Sequence, residues 1–113
     1  MIQRYDFAPL DGITKVVFRQ VWHRRFGGAD RYFIPFFSPT DQHILTQRDR
    51  RELERANNGD LPLVPQVMTR RAPDFLWAAE VLEDMGYTEV NLNLGCPSGT
   101  VTAKGKGSGF LAR

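Results

Sequence analysis

A chain of 113 residues, 42% hydrophobic and 25% charged, has room for one ordinary domain, and its composition excludes a disordered segment. No apolar run is long enough to cross a bilayer, and a net charge of +2 is too mild to mark a nucleic-acid binder without basic residues gathered on one face. The lone cysteine, Cys96, excludes an intrachain disulfide and a cysteine-based zinc site.

In chain order, residues 1–6 lack the basic, apolar and small-residue regions of a secretory signal, so a cytoplasmic address is expected. Residues 3–7 read as a short first strand. Thr14 is expected to cap a helix with the apolar stripe Phe18, Val21, Trp22 and Phe26, closed by Gly27-Gly28. Residues 32–37 read as an aromatic second strand. Thr46 with Asp49 predicts a capping box ahead of a polar helix that ends at Asn57-Asn58-Gly59 and buries little beyond Leu53 and Ala56. Residues 63–68 form a third strand, in which Pro65 is out of place because proline gives the ladder no donor. Pro73 then starts a helix with the stripe Phe75, Ala78, Ala79, Leu82 and Met85, ended by Gly86. Residues 89–94 make a fourth strand, with Val90, Leu92 and Leu94 on one face and Asn91 and Asn93 on the other. Glycine, lysine and serine dominate from there. No acidic residue follows Glu89, while Lys104, Lys106 and Arg113 do, a tail suited to face an anion.

Strand starts recur about every 30 residues, the spacing of strand and helix units joined by right-handed crossovers in a parallel sheet. An open doubly wound sheet and a barrel both fit. The fourth strand favours the barrel, with its apolar face toward helices and Asn91 and Asn93 pointing inward. A closed (β/α)8 barrel takes eight units and about 250 residues, so the expectation is an α/β fold that is a partial TIM (β/α)8 barrel of the first three to four strand-helix units. Four parallel strands alone leave two raw edges. The chain is therefore expected to be the front of something longer or to pair with another chain.

Three strand ends carry unusual residues. The stretch Ala8-Pro9-Leu10-Asp11-Gly12-Ile13-Thr14 is either a structural turn or a path that lays backbone against a flat ligand. Gln66 is a lone polar residue in Val64-Pro65-Gln66-Val67-Met68; its carboxamide is equally suited to backbone partners and to a ligand with paired donors and acceptors. Cys96 stands between Gly95 and Pro97 in a turn, away from any apolar stripe. Thiols ordinarily titrate near about 8.5 and so can donate a proton as well as attack. Neither His23 nor His43 sits at a strand end, which leaves a cysteine hydrolase unsupported. The run Lys104-Gly105-Lys106-Gly107-Ser108-Gly109 has neither the spacing of the nucleotide-binding lysine loop nor that of the dinucleotide fingerprint, and is expected to pack beside Cys96.

Taken together, APLDGIT after the first strand, PQV in the third, NLNLGCPSGTV after the fourth and AKGKGSGFL beyond it resemble the N-terminal half of the tRNA-dihydrouridine synthases. The four motifs occur in order across nearly the whole chain. The resemblance implies an incomplete FMN-binding TIM-barrel catalytic domain over residues 1–113, NADPH as reductant, and reduction of the carbon 5 to carbon 6 double bond of specific tRNA uridines. It implies Cys96 as general acid toward carbon 5 and Asn93 on the uracil edge. It also implies a cofactor-binding stretch of Ala8, Pro9 and Leu10, with Pro9 and Leu10 against the isoalloxazine ring, and Gln66 on the ring's polar edge. Leu10 departs from the methionine often found there, a mild change in volume. The family's later lysine and histidine, its FMN-phosphate loops and its helical tRNA-binding domain are expected beyond Arg113, so the 113 residues alone are expected to be inactive. No membrane or metal partner is implied.

Other readings are a flavin barrel acting on free pyrimidines and a noncatalytic half-barrel that works by assembly. A flavodoxin-like carrier fits less well, because APLDGIT offers only Thr14 as a phosphate-binding hydroxyl.

Overall fold

In the computed structural model, which describes residues 3–112, Asp6–Phe7 (β1) pairs with Arg31–Phe33 (β2) and β2 with Leu63–Val64 (β3), all in parallel. Gln66–Val67 (β4) pairs in parallel with Asn91–Leu92 (β5). Four helices separate the strands: Val16–Arg25 (α1), Gln47–Leu53 (α2), Arg55–Asn58 (α3) and Ala72–Asp84 (α4). Gly99–Thr102 (α5) and a 3-10 segment, Gly107–Ala112, follow β5, where the sequence suggested only loop. The chain is thus α/β with parallel strands, and none of its described helices is long and apolar enough to cross a membrane.

The expected third strand is split into β3 and β4, and Pro65 is the residue between them. Its missing N–H falls where one paired segment ends and the next begins, and its carbonyl still accepts from Asn91 N at 2.9 Å. The residues beyond β2 continue onto β4, with Phe37 N donating to Gln66 O at 3.1 Å and Met68 N to Phe37 O at 3.0 Å. The paired segments therefore follow one another in the order of the chain.

Helices cover one face of this sheet. Ala78 and Leu82 of α4 meet Val67, Ile34, Phe37, Leu45, Leu53 and Tyr87 in the core, with Phe75 and Met85 packed at its margin, as the stripe on that helix predicts. The capping box is present on α2, with Asp49 N donating to Thr46 Oγ1 at 3.0 Å and Thr46 N to Asp49 Oδ2 at 3.3 Å. The helix it starts is shorter than expected. Glu54 turns extended, with ψ of 121°, and separates α2 from α3. Asn58, expected only as a helix end, is buried at this break and donates from Nδ2 to Glu52 O and Glu54 O at 3.0 and 2.8 Å. Leu53 is buried as expected, whereas Ala56 is exposed.

The first helix departs most from expectation. Lys15, not Thr14, occupies the cap position, and no side chain caps it. The buried residues of α1 are Val16 and Arg19, while Phe18 is 40% and Phe26 72% exposed. Phe7, Trp22 and Phe26 still pack ring on ring, at centroid distances of 5.3 and 4.6 Å. Their flank stays open because β1 is the outer strand of its sheet, with no further layer on that side among the described residues. Across that strand pair, hydrogen bonds from Arg31 hold the Asp6 carboxyl below its usual range.

Burial pushes the Tyr87 phenol up to about 12, and its hydroxyl donates to Leu53 O. A phenol that binds its proton more tightly when folded contributes stability below about pH 10, and this is lost as the pH rises toward 12. The urea midpoint should fall steeply across that interval, by the equivalent of about 2 kcal/mol, and Tyr87→Phe should flatten the fall. An unchanged slope in the variant would assign the alkaline loss elsewhere.

Candidate active site

The β4 and β5 register sets Gln66 opposite Asn91, and Asn93, two residues on, shares their face. Gln66 Nε2 donates to Asn91 Oδ1 at 2.8 Å, and Asn93 Nδ2 donates to Gln66 Oε1 at 3.0 Å. Asn93 Oδ1 accepts from Gly95 N at 2.9 Å and Cys96 N at 3.0 Å. One line of carboxamides therefore ties the middle of the sheet to the cysteine turn. Gln66, buried, retains one N–H and one lone pair for a further partner, and Asn93 retains one N–H.

The turn is held from its other side by the glycine-rich loop, as the sequence predicts. Both the backbone N and the hydroxyl of Ser108 donate to Cys96 O at 3.0 Å. Gly107, at φ of 55°, lies so close that an added Cβ would fall 2.6 Å from Cys96 O. Gly107→Ala should cost about 1–3 kcal/mol and loosen the turn. A lower urea midpoint together with faster maleimide labelling of Cys96 is the expected result; unchanged labelling would show that the loop does not brace the thiol.

The first loop is closed on itself. Leu10 N donates to Thr14 Oγ1 at 2.8 Å, and the Ile13 and Thr14 amides donate to Leu10 O at 3.0 Å. Arg19 Nη1 donates to Thr14 O at 2.7 Å, which anchors the loop to α1. Thr14, expected as a helix cap, is instead spent on this turn. Leu10 is left 56% exposed, free to lie against a ligand.

These loops enclose an open cleft of about 540 Å³ at the carboxyl ends of the strands. Five of the six residues singled out from sequence line it: Pro9, Leu10, Gln66, Asn93 and Cys96. Ala8 does not; it is exposed and precedes the wall that Pro9 begins. Asn91 lines the cleft too, as its inward place on the fourth strand predicts, and so do Pro35 and Phe36, which no motif singled out; Leu92 and Leu94, expected to face helices, also line it. The alternation of Asn91 with Asn93, and a strand ending near Pro35, were the signals available. His23 binds Tyr32 through Nδ1 and His43 binds Asp74 through Nε2, and neither lines the cleft. Among the described residues no cluster of three or more His, Cys, Asp or Glu is placed to hold a metal ion.

A largely apolar wall above carboxamides with spare bonding capacity fits a flat heteroaromatic ring with a polar edge. Such a cleft at the carboxyl ends of parallel strands is the site arrangement of α/β enzymes. Residues 6–113 match the family Dihydrouridine synthase (Dus), and the chain belongs to that family. It is 30% identical over 111 residues to a probable tRNA-dihydrouridine synthase of Staphylococcus epidermidis, covering 96% of this chain and 33% of that protein. Over 113 residues it is 27% identical to probable tRNA-dihydrouridine synthase 2 of Bacillus subtilis, covering 96% of this chain and 34% of the relative. The chain spans about a third of the length of the curated relatives it matches.

Proposed function

We propose that this chain is part of an FMN-dependent, NADPH-using enzyme that reduces specific uridines of tRNA to 5,6-dihydrouridine in the cytoplasm. On this reading residues 1–113 are the first strand-helix units of a (β/α)8 barrel, and the remaining units and a helical tRNA-binding domain correspond to the additional length of the relatives. The 113 residues alone then form an incomplete and inactive catalytic domain. The observation that carries the reading is the bonded line Gln66, Asn93 and Cys96 beside the wall of Pro9 and the exposed Leu10, in a chain of this family.

Pro9 and Leu10, reached through Ala8, would hold the ring of FMN on their apolar surface, and Gln66 would meet the ring's polar edge with its remaining donor and lone pair; once reduced by NADPH, FMN would supply the hydride for carbon 6 of the base. Asn93 turns its remaining N–H to the uracil edge while its oxygen keeps the Cys96 turn in place. Cys96 holds the proton that passes to carbon 5. A target uridine must leave its stack to reach the cleft.

The test is to supply the protein with FMN, NADPH and an unmodified tRNA transcript and to read dihydrouridine by nucleoside mass spectrometry. The added relatives' length is best supplied in the same preparation, by the longest form the source gene encodes. Reduction of free uracil or oxidation of dihydroorotate, with no activity on tRNA, would replace the reading by a pyrimidine dehydrogenase. A noncatalytic piece that assembles with another chain is favoured by the exposed aromatic flank of α1 and would show as an obligate oligomer in gel filtration.

A further inference from the structure

A second cleft, of about 600 Å³, opens at the same strand ends and is lined by four cations, Arg70, Arg71, Lys104 and Lys106. The arginines follow β4, and the lysines belong to the glycine-rich loop after α5. Lys106 lies two residues from Ser108, whose bonds to Cys96 O hold that loop against the candidate site. The loop that supplies the lysines of this cleft is therefore the one that braces the cysteine turn.

Its charge is not balanced. The two carboxylates in the lining, Asp41 and Asp74, are already engaged. Asp41 accepts from Arg71 at 2.9 Å, and the buried Asp74 accepts from His43 at 2.8 Å with Arg71 Nε at 3.9 Å. Arg70, Lys104 and Lys106 have no carboxylate within ion-pair distance among the described residues. No acidic residue follows Glu89 to offset them. Uncommitted cations around an open cleft suit a chain of phosphates, whereas a small anion is ordinarily held by convergent backbone donors.

We propose that this cleft binds the sugar-phosphate backbone of the RNA strand that carries the target uridine. The proposal rests on the tRNA reading of the neighbouring site and gives the basic tail noted in the sequence its ligand. Phosphate neutralised by lysine or arginine releases counterions, so each contact adds about 0.7 to 0.9 to the slope of log affinity against log salt.

The experiment is fluorescence anisotropy of a labelled, unmodified tRNA with the full chain across a potassium chloride series. Lys104→Ala/Lys106→Ala should lower the slope by about 1.5 and Arg70→Ala by about 0.7, while Arg24→Ala, on the last turn of α1, should leave it unchanged. Lys104→Gln/Lys106→Gln, with a melting curve for each variant, excludes lost folding as the cause. No tRNA binding by the wild type, an unchanged slope, or an equal drop for Arg24→Ala would overturn the proposal. So would a weakening of NADPH binding in place of RNA binding, which would assign the phosphate to the reductant. Dihydrouridine is measured separately on the longest form the source gene encodes: the expected slopes without any dihydrouridine from that form would sink the enzymatic reading and leave the cleft standing.

Discussion

Alanine at Cys96, in the longest form the source gene encodes, should lower the proposed dihydrouridine formation by about 100-fold or more, the range a positioned general acid contributes. The thiol is the only side-chain atom group the substitution removes. The turn itself is held by backbone bonds: Cys96 N donates to Asn93 Oδ1, and Cys96 O accepts twice from Ser108. Cys96 is also half-buried in a loop, away from the hydrophobic core, so little packing is lost. The melting temperature should therefore stay within a degree or two of the wild type, as for a loop substitution that opens no core cavity. Bleaching of the flavin by NADPH should continue, because no step of that transfer uses the thiol. Unchanged dihydrouridine yield would remove Cys96 from the chemistry, and lost bleaching would make its role structural.

Arg19→Met should be the most damaging substitution for stability, costing about 3 kcal/mol. Arg19 is fully buried, and burial lowers its pKa while Glu52 opposes that shift. Its Nη1 donates to Thr14 O and to Glu52 Oε1 at 2.7 and 3.0 Å, and its Nη2 to Glu52 O and Asn58 Oδ1 at 3.2 and 2.8 Å. Methionine keeps much of the volume but removes the donor from all four acceptors, of which Glu52 O keeps the bond from Asn58 Nδ2. Glu52 retains some solvent access and a bond from Val16 N, which places the cost at the low end for a broken buried pair. Glu52→Gln should cost less, since a carboxamide still accepts from Arg19. In a double-mutant cycle the two changes should couple by 1 kcal/mol or more, on the order found for residues sharing one network. Full additivity would mean that the pair does not act as a unit. Because Arg19 also holds Thr14, the variant should loosen the loop that presents Pro9 and Leu10, readable as weaker binding of added FMN.

Local chemistry is why much of the architecture was legible. Thr46 and Asp49 need only each other to form a capping box, Pro73 needs only a first turn, and the stripe on α4 needs only a helical period. The same holds for Asn91 and Asn93, which share a face because a strand alternates. Arg19 was hidden for the opposite reason. Its position on α1 reads as one polar residue beside an aromatic stripe, and only the return of α2 and α3, with Glu52 and Asn58, makes that position an interior one. The aromatic stripe was misread as core for the same reason, since a period identifies an apolar face without showing what covers it.

By itself, then, the sequence determined the parallel strand and helix order, the capping box of α2, the cysteine turn and the membership of a family, because each depends on short-range bonding or on ordered motifs. Tertiary structure alone decided that Gln66 meets Asn91 and Asn93, that Pro65 falls at a break between paired segments, and that Arg70 and Arg71 meet Lys104 and Lys106 around one cleft. Those facts depend on register between strands 25 residues apart in the chain, and hydrogen bonds across that separation exist only once the sheet has formed.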